Sequence, residues 1–256
     1  MAPQRSPLVL LHGLSMSASA WQETVPLVAV HHEVFTPTAI GHRGGPPVQR
    51  RPVTIWDVID ATELYLDQQG LKRPHLAGNS MGGFVALELA RRGRAASVAA
   101  FSPAGLWTDA LRERVMTRGR RIAAMSRLAH RVTPLVVKSP RLRRQAMRDL
   151  AWRADRISAA RALEIANDAL GCGIINDVLR SGDEQVLAMN ALPCPITIAW
   201  PEKDRVHPIE LYEMTVKERL PGAVFSVLPG VGHVPMLDDP ELVARTILAV
   251  TGAAED

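Results

Sequence analysis

The segment of this sequence that is best suited to covalent chemistry contains a serine between two glycines. Gly78 and Gly82 flank Ser80 in the pattern Gly-x-Ser-x-Gly, between the short apolar stretch 75–77 and a helical pattern over 81–92. A sharp strand-to-helix turn exposes a serine hydroxyl, and its crowding leaves room only for glycine two residues to either side. The start of the helix also directs backbone N–H groups at the site. The segment therefore predicts a serine nucleophile at Ser80.

The elements around this serine predict an α/β domain with an insertion. Strand and helix patterns alternate over residues 6–103, and the alternation resumes at residue 196. This order favours a mostly parallel, doubly wound sheet with helices on both faces. We assign this core to residues 1–105 and 190–256, and a helical insertion to residues 106–189. The predicted helices of the insertion cover 109–131, 141–152, 155–170 and 173–188.

Four segments, in this order along the chain, resemble the motifs of the α/β-hydrolase superfamily. Leu8–Gly13 resembles the first core strand with its His-Gly turn, and Gly78–Gly83 resembles the nucleophile turn. Trp200–Pro208 resembles the loop of the catalytic acid, and Gly230–Pro235 resembles the turn of the catalytic histidine. The order Ser, Asp, His is the one expected of this fold. The resemblance implies an α/β-hydrolase fold in which the insertion is a helical cap.

The resemblance also implies a catalytic triad of Ser80, His233 and Asp204. His233 would take the proton of the serine hydroxyl and later deliver one to the leaving group. Asp204 would bind the other ring nitrogen and hold the tautomer of the imidazole. The rival carboxylates Asp238 and Asp239 follow the histidine too closely and are expected to cap the final helix. A further rival, Asp183, lies in the insertion.

Two backbone N–H groups are expected to form the oxyanion hole. One belongs to Met81, directly after the nucleophile, and the other to Leu14, directly after the His-Gly turn. His12 is expected to support this turn without transferring protons. A second loop, Gly41-His42-Arg43-Gly44, departs from the usual pattern of the superfamily. Arg43 is either a solvated loop residue or a substrate contact.

Serine as nucleophile argues against the branches that use aspartate, namely haloalkane dehalogenases and epoxide hydrolases. We expect a carboxylesterase that cleaves esters or thioesters of small to medium, mainly aliphatic substrates. One alternative is a C–C bond hydrolase of dioxo-type acids, whose nucleophile turn is similar. Two marks of those enzymes are absent, because His12–Ser15 is not rich in glycine and Val234 stands where an aromatic is usual. A second alternative is a ligand-binding receptor without catalysis, although all three triad positions are filled.

The substrate pocket is less well determined by the sequence. Trp107, Val234 and Trp152 are the candidate pocket residues, and either tryptophan could instead pack the insertion onto the core. Leu106, Met125 and Met189 could line the pocket but are more typical of ordinary core. Aromatic residues make up only 4% of the chain, which favours an aliphatic pocket.

Composition excludes several other classes of protein. The net charge of +4 over 256 residues is too small to indicate nucleic-acid binding. Two isolated cysteines, Cys172 and Cys194, predict neither a zinc site nor a disulfide framework, and we expect no metal or cofactor. No signal peptide and no membrane span are predicted. We therefore expect a cytoplasmic monomer or homodimer that acts on a small-molecule ester.

Charge is unevenly distributed along the chain. Residues 111–161 contain 15 basic and three acidic residues, so the remainder of the chain is net negative. Two interpretations stay open for this basic segment of the insertion. It is either a solvated helical face or a docking surface for an anionic or carrier-bound acyl substrate, whose association would weaken with salt.

Overall fold

A computed structural model describes residues 5–181 and 184–253. Within this part of the chain, six parallel strands form one sheet in the order β2-β1-β3-β4-β5-β6. The strands are β1 (Ser6–Leu11), β2 (His32–Phe35), β3 (His75–Asn79), β4 (Ser97–Phe101), β5 (Ile196–Pro201) and β6 (Val224–Leu228). The helices are α1 (Val25–Val28), α2 (Ile55–Gln68), α3 (Met81–Arg91), α4 (Asp109–Ala129), α5 (Thr133–Val136), α6 (Pro140–Ala146), α7 (Ala159–Gly171), α8 (Ile175–Ser181), α9 (Glu213–Arg219) and α10 (Pro240–Thr251).

Both faces of the sheet are buried along the central strands β1, β3, β4 and β5, which explains why these strands are mainly apolar. Val9 and Leu11 of β1 belong to one hydrophobic cluster together with residues of α2, α3 and α9. Leu8 and Leu10 point to the other face and join a cluster with residues of α1 and α10. The alternation follows from the two-residue period of a strand. The predicted doubly wound parallel sheet is confirmed.

The strand order reverses between β1 and β3. The connection after β1 leads to β2 on one side of it, whereas β3 and all later strands lie on the other. In parallel α/β sheets, such a reversal leaves a crevice at the carboxyl ends of the two strands, where ligands bind. The predicted oxyanion turn at Gly13 and the predicted nucleophile Ser80 follow directly after these two strand ends. The topology therefore brings together segments that are about 65 residues apart in the sequence.

Between β4 and β5, the described chain forms the five helices α4 to α8. Two of the predicted helices are shorter than the sequence pattern indicated, since α6 ends at Ala146 and α8 at Ser181. Beyond α8, the backbone pairs with the core instead of continuing a helix. The Val186 N–H donates to the Gly105 carbonyl at 2.9 Å, and the Met189 N–H donates to the Arg219 carbonyl at 2.8 Å.

A buried carboxylate attaches the insertion to the core. Asp168 of α7 is fully buried and accepts hydrogen bonds from the hydroxyls of Ser17 and Ser19, at 2.7 and 3.1 Å. The Nε of Arg43 donates to the same carboxylate at 2.6 Å. Arg43 is therefore an anchor of the insertion, which neither interpretation from the sequence foresaw. Its partner lies 125 residues away, so no local pattern could have indicated the pair.

Replacing Asp168 with alanine is expected to lower the free energy of unfolding by about 2–3 kcal/mol, because two hydroxyls and one guanidinium lose their acceptor. The Arg43 side chain is half-exposed and can recover water, which keeps the loss below that of a fully buried pair. Urea unfolding measures the effect. Asp60, an exposed partner of Arg92, is the matched control, and Asp60→Ala should cost less than about 1 kcal/mol. Equal losses in the two variants would contradict a special role for Asp168.

Candidate active site

The turn that carries Ser80 is strained and closely packed. Ser80 has φ +52° and ψ −112°, a conformation that residues other than glycine rarely adopt. A Cβ atom on Gly78 would lie 2.2 Å from the carbonyl oxygen of Gly82, and a Cβ on Gly82 would lie 2.1 Å from that of Leu11. Glycine is therefore required at both positions, for the steric reason that the sequence pattern implied. The strain is maintained because β3 and α3 are buried on either side of the turn.

The structure brings His233 and Asp204 into direct contact. The Nδ1 atom of His233 lies 2.7 Å from Oδ2 of Asp204, and both side chains are buried. Because the carboxylate engages Nδ1 as a donor, Nε2 is the ring nitrogen that can accept a proton. His233 and Ser80 line the same cavity. Ser80 and the pair of His233 and Asp204 thus lie at one edge of the sheet, although they come from three separate loops.

Asp204 receives more hydrogen bonds than the triad alone requires. The Ser102 hydroxyl donates to Oδ2 at 2.5 Å, while the N–H groups of Val206 and His207 donate to Oδ1 at 2.8 and 2.7 Å. Burial raises the pKa of this carboxyl, but the adjacent His233 and His207 rings and the Ser102 hydroxyl outweigh burial. The pKa of Asp204 therefore lies below its usual value, and the group is a carboxylate at neutral pH.

Ser102 and His207 are site residues that the sequence analysis did not identify. Ser102 directly follows β4, so its position at a strand end was the available signal. The His207 ring lies edge-on to the His233 ring, with 4.8 Å between centroids, and it also lines the cavity. Burial, followed by the proximity of His233, lowers the pKa of His207 to about 4. His207 is therefore neutral at pH 7 and adds no positive charge beside the His233 imidazole.

Replacing Ser102 with alanine is expected to lower kcat about tenfold, since the Asp204 carboxylate loses a short charge-assisted hydrogen bond. The pKa of Asp204 should rise in this variant, because one group that stabilises its charged form is removed. The acid limb of the pH profile of kcat reports both effects. Ser102→Gly also lacks the hydroxyl but suits the φ of +44° at this position, so it should show the same loss if the hydroxyl and not the backbone is responsible. An unchanged kcat in Ser102→Ala would show that the hydroxyl does not support the carboxylate.

Neutral histidines hold the predicted oxyanion turn. His12 Nδ1 lies 2.8 Å from the Gly13 carbonyl, and His12 Nε2 accepts the Ala39 N–H at 3.0 Å. Burial, followed by the charge of nearby His42, lowers the pKa of His12 to about 3, so the ring stays neutral. The Ser15 N–H donates to Nε2 of His42 at 3.4 Å. The structure thus places His12 in the supporting position that was expected of it.

The two predicted oxyanion residues face the same cavity. Leu14 and Met81 both line it, together with Ser80. Met81 is the first residue of α3, and the first N–H groups of a helix have no partner within that helix. A negative oxygen at this helix start would also be favoured by the helix dipole. The arrangement can stabilise an oxyanion that forms next to Ser80.

The rival carboxylates have other partners. Asp239 accepts the Leu242 N–H at 2.8 Å and caps α10, as expected. Asp238 does not cap this helix. It accepts hydrogen bonds from the N–H groups of Gly232, Trp152 and Arg153 at 2.6–2.8 Å, and so connects the turn of His233 to the insertion. The remaining rival, Asp183, lies outside the described residues.

A cavity of about 290 Å³ lies between the core and the insertion. Ser80, His207 and His233 line it from the core side. Its walls are mainly apolar and include, from the insertion, Val115, Met116, Gly119, Ile122, Ala123, Leu150, Ile165, Ala169, Leu170, Val178 and Leu179. The apolar part of the wall is aliphatic except for Trp107 and Phe84.

The candidate pocket residues differ in where the structure places them. Trp107 lines the cavity, whereas Val234 and Trp152 are not among the described residues that do. Val234 is buried in the core, and Trp152 lies beneath the cations of Arg144, Lys203 and Arg205 at 5.4–5.8 Å. These two side chains are near the site without facing it.

Of the three residues expected mainly in ordinary core, two are there. Leu106 and Met189 are buried in the cluster that contains α2 and α3. The expectation was wrong for Met125, which is 70% exposed. The apolar residues of α4 lie on two sides of the helix, and one of these sides faces solvent.

Asp204, His207 and His233 also form a group that could hold a metal ion. One ligand atom from each of them lies within 4.8 Å of the others, and no other such group occurs in residues 5–181 and 184–253. The two oxygens of Asp204 already accept four hydrogen bonds, which is the full capacity of a carboxylate. A metal ion would have to displace one of these donors.

Comparisons with known proteins agree with this fold. The sequence profile of the alpha/beta hydrolase family matches residues 8–246. "Epoxide hydrolase EphH" of Mycobacterium tuberculosis is 33% identical over 197 residues, which cover 74% of this chain and 91% of that protein.

Two solved structures show how widely the fold is shared. A thermophilic esterase from Thermogutta terrifontis has a TM-score of 0.75 at 21% identity, and the match covers 99% of this chain and 92% of that one. The 2-hydroxy-6-oxo-6-phenylhexa-2,4-dienoate hydrolase of Rhodococcus has a TM-score of 0.73 at 23% identity, covering 98% and 92%. At these identities, the likeness shows the fold alone. With a family match over nearly its whole length, the chain belongs to the alpha/beta hydrolase family.

Proposed function

We propose that this hydrolase cleaves carboxylic esters or thioesters through an acyl-enzyme formed on Ser80. The observation that carries the proposal is the placement of Ser80 on a strained turn, in the same cavity as the hydrogen-bonded pair His233 and Asp204. This combination supplies a nucleophile, a base with one free ring nitrogen and a carboxylate that orients the base. An acyl carbonyl is the group that such a set attacks most directly.

The proposed reaction has two steps. His233 Nε2 takes the Ser80 proton while the serine oxygen attacks the acyl carbonyl, and the N–H groups of Leu14 and Met81 stabilise the oxyanion. The intermediate collapses, and His233 returns the proton to the departing alcohol or thiol. Water then attacks the acyl-enzyme with the same histidine as base, which releases the acid and restores Ser80. Asp204 remains a carboxylate throughout and stabilises the imidazolium.

The helical insertion is proposed to act as a cap that selects the substrate. Helices α4, α7 and α8 provide much of the cavity wall. The part of the wall that the insertion contributes is aliphatic apart from Trp107, Arg118, Arg127, Asp149 and Glu184. The volume of about 290 Å³ is at the small end of ligand sites. We therefore expect short to medium acyl chains to be preferred over long or bulky aromatic ones.

The similarity to a protein named an epoxide hydrolase raises a second reaction, which the nucleophile does not favour. A serine oxygen that opens an epoxide would form an ether, and water cannot cleave an ether as it cleaves the ester formed by a carboxylate nucleophile. The departing ring oxygen also needs an acid. Neither of the two tyrosines, Tyr65 and Tyr212, lines the cavity. Ester hydrolysis therefore fits these residues better than epoxide hydrolysis does.

Covalent labelling tests the proposal most directly. A fluorophosphonate should phosphonylate Ser80 alone, and peptide mass spectrometry would locate the adduct. In parallel, p-nitrophenyl esters of increasing acyl length, styrene oxide and a dioxo-type acid should be offered to the enzyme. We expect turnover of the shorter esters and none of the epoxide. A label on another residue, or turnover of the dioxo acid in preference to every ester, would refute the proposal.

A further inference from the structure

The outer side of the helical insertion is strongly cationic. Residues 114–148 contain 11 basic residues and no acidic one. Among these basic residues, only Arg118 has a carboxylate partner within the described chain, namely Asp149. Arg143 is buried and donates to the Val137 carbonyl. Most of the remaining cations are exposed and have no carboxylate partner among residues 5–181 and 184–253, although acidic residues are plentiful elsewhere in the chain.

Large apolar side chains are exposed within the same segment. Met125 and Leu128 lie three residues apart in α4 and share a face of that helix, and they are 70% and 87% exposed. Val132 and Leu135 follow with the same spacing at α5 and are also exposed. In the sequence, exposed cations lie between and beside these apolar residues. We call this set the cationic apolar face, and it comprises Arg121, Met125, Leu128, Arg131, Val132, Leu135, Lys138 and Arg141.

Packing among residues 5–181 and 184–253 does not explain this face. Helix α4 uses its other side for the cavity, where Val115, Gly119 and Ala123 form part of the wall. Clustered exposed apolar side chains are unfavourable in water and usually mark a site of interaction. The combination of cations and apolar residues indicates what kind of surface would bind this face. The apolar groups require a non-aqueous layer, and the cations require negative charge at its boundary.

We propose that the cationic apolar face docks the protein onto the surface of a bilayer that contains anionic lipids. The apolar side chains would enter the boundary between headgroups and acyl chains, while the guanidinium groups would bind lipid phosphates. The protein would lie on the bilayer and not span it, since no helix in the described residues has the length and apolar content of a membrane span. Docking through α4 would bring the cavity wall close to the membrane surface.

Charge favours a bilayer over a second copy of the chain. A symmetric dimer through this face would place the same unpaired cations of both subunits against one another. Such like-charge contacts oppose association unless anions lie between them. An anionic bilayer instead neutralises the whole set at once. The proposal does not depend on the esterase activity, because docking can be measured without turnover.

Vesicle flotation tests the docking surface. The probe is a phosphatidylcholine vesicle, either alone or with about 30 mol% phosphatidylglycerol, and the readout is the fraction of full-length protein that floats. We expect binding to the anionic vesicles only, with loss of binding at roughly 0.5 M salt, where screening is strong. Leu128→Asp should weaken the partition coefficient at least about tenfold. Arg121→Gln and Arg131→Gln should each weaken it about fivefold.

The control is an apolar residue of similar exposure on another surface. Met214 in α9 is 74% exposed, and Met214→Asp should bind the vesicles as the wild type does. Ser80→Ala should also bind normally, which separates this proposal from the proposed chemistry. Thermal unfolding should show that Leu128→Asp is folded. Equal binding to neutral and anionic vesicles, no binding by the wild type, or no effect of Leu128→Asp would overturn the proposal. So would a wild-type dimer that Leu128→Asp dissociates without any vesicle binding.

Discussion

Replacing Ser80 with alanine is expected to lower kcat for a short p-nitrophenyl ester by about 10⁴- to 10⁶-fold. The variant keeps the cavity and the hydrogen-bonded pair of His233 and Asp204, but it has no atom that can form the acyl-enzyme. Residual turnover above the rate in water would come from the oxyanion donors and from binding alone. Because no covalent bond forms, the fluorophosphonate adduct should also disappear. Steady-state kinetics and intact-protein mass spectrometry measure the two effects.

Ser15 is the matched control for this substitution. It lines the same cavity and, like Ser80, has a positive φ, so alanine at either position meets a similar backbone constraint. Ser15→Ala should retain activity within about threefold, because its hydroxyl has no part in the proposed reaction. Thermal unfolding should show that both variants are folded. If Ser80→Ala retained its activity while Ser15→Ala lost it, the nucleophile would be wrongly assigned.

Replacing Asp204 with asparagine is the substitution with the second-largest expected effect, a loss of about 10⁴-fold in kcat. An amide in this position has one oxygen and one NH₂ group, whereas the carboxylate accepts four hydrogen bonds. In one orientation of the amide, its NH₂ group would face the N–H and O–H donors that the carboxylate accepts. In the other, it would donate to His233 Nδ1, and the proton of the imidazole would then have to lie on Nε2. In the second case the base is lost, since Nε2 must be unprotonated to activate Ser80. Steady-state kinetics with the same ester measures the loss.

The neighbouring acid Asp239 gives a direct comparison. Its side chain caps α10, and asparagine is an equally good cap, so Asp239→Asn should leave kcat nearly unchanged. Asp204→Asn should therefore be inactive and Asp239→Asn active, although both remove one negative charge from a loop at the same end of the sheet. Comparable losses in the two variants would indicate a general electrostatic effect and not a specific contact with His233.

Local sterics explain why the turn that carries Ser80 could be predicted from the sequence. The Gly-x-Ser-x-Gly turn is determined by atoms within a few residues of Ser80, together with one close approach to β1. Strand and helix periodicities are equally local, and they were sufficient to predict the parallel sheet. Helix ends were less predictable. Helix α8 ends before the predicted boundary, and the segment beyond it hydrogen-bonds with residues 105 and 219, far away in the sequence.

Contacts between distant segments could not be read from the sequence. Ser102 became a partner of Asp204 only because β4 and β5 are neighbours in the sheet, so that their carboxyl ends meet. The pairing of Arg43 with Asp168 similarly depends on where α7 packs against the core. A serine or an arginine in a loop has many sequence-compatible partners, and packing selects one of them.

Helix α4 has some properties that follow from its sequence and others that depend on the tertiary structure. Its sequence alone determined that it is a basic helix within an insertion, because composition and spacing are visible in the chain. Which apolar residues line the cavity and which remain exposed depends on how the helix is rotated against the core. Met125 and Val115 are both apolar residues of this helix, yet one faces solvent and the other the cavity. Tertiary packing sets that rotation, since burial is a property of the whole fold and not of a local pattern.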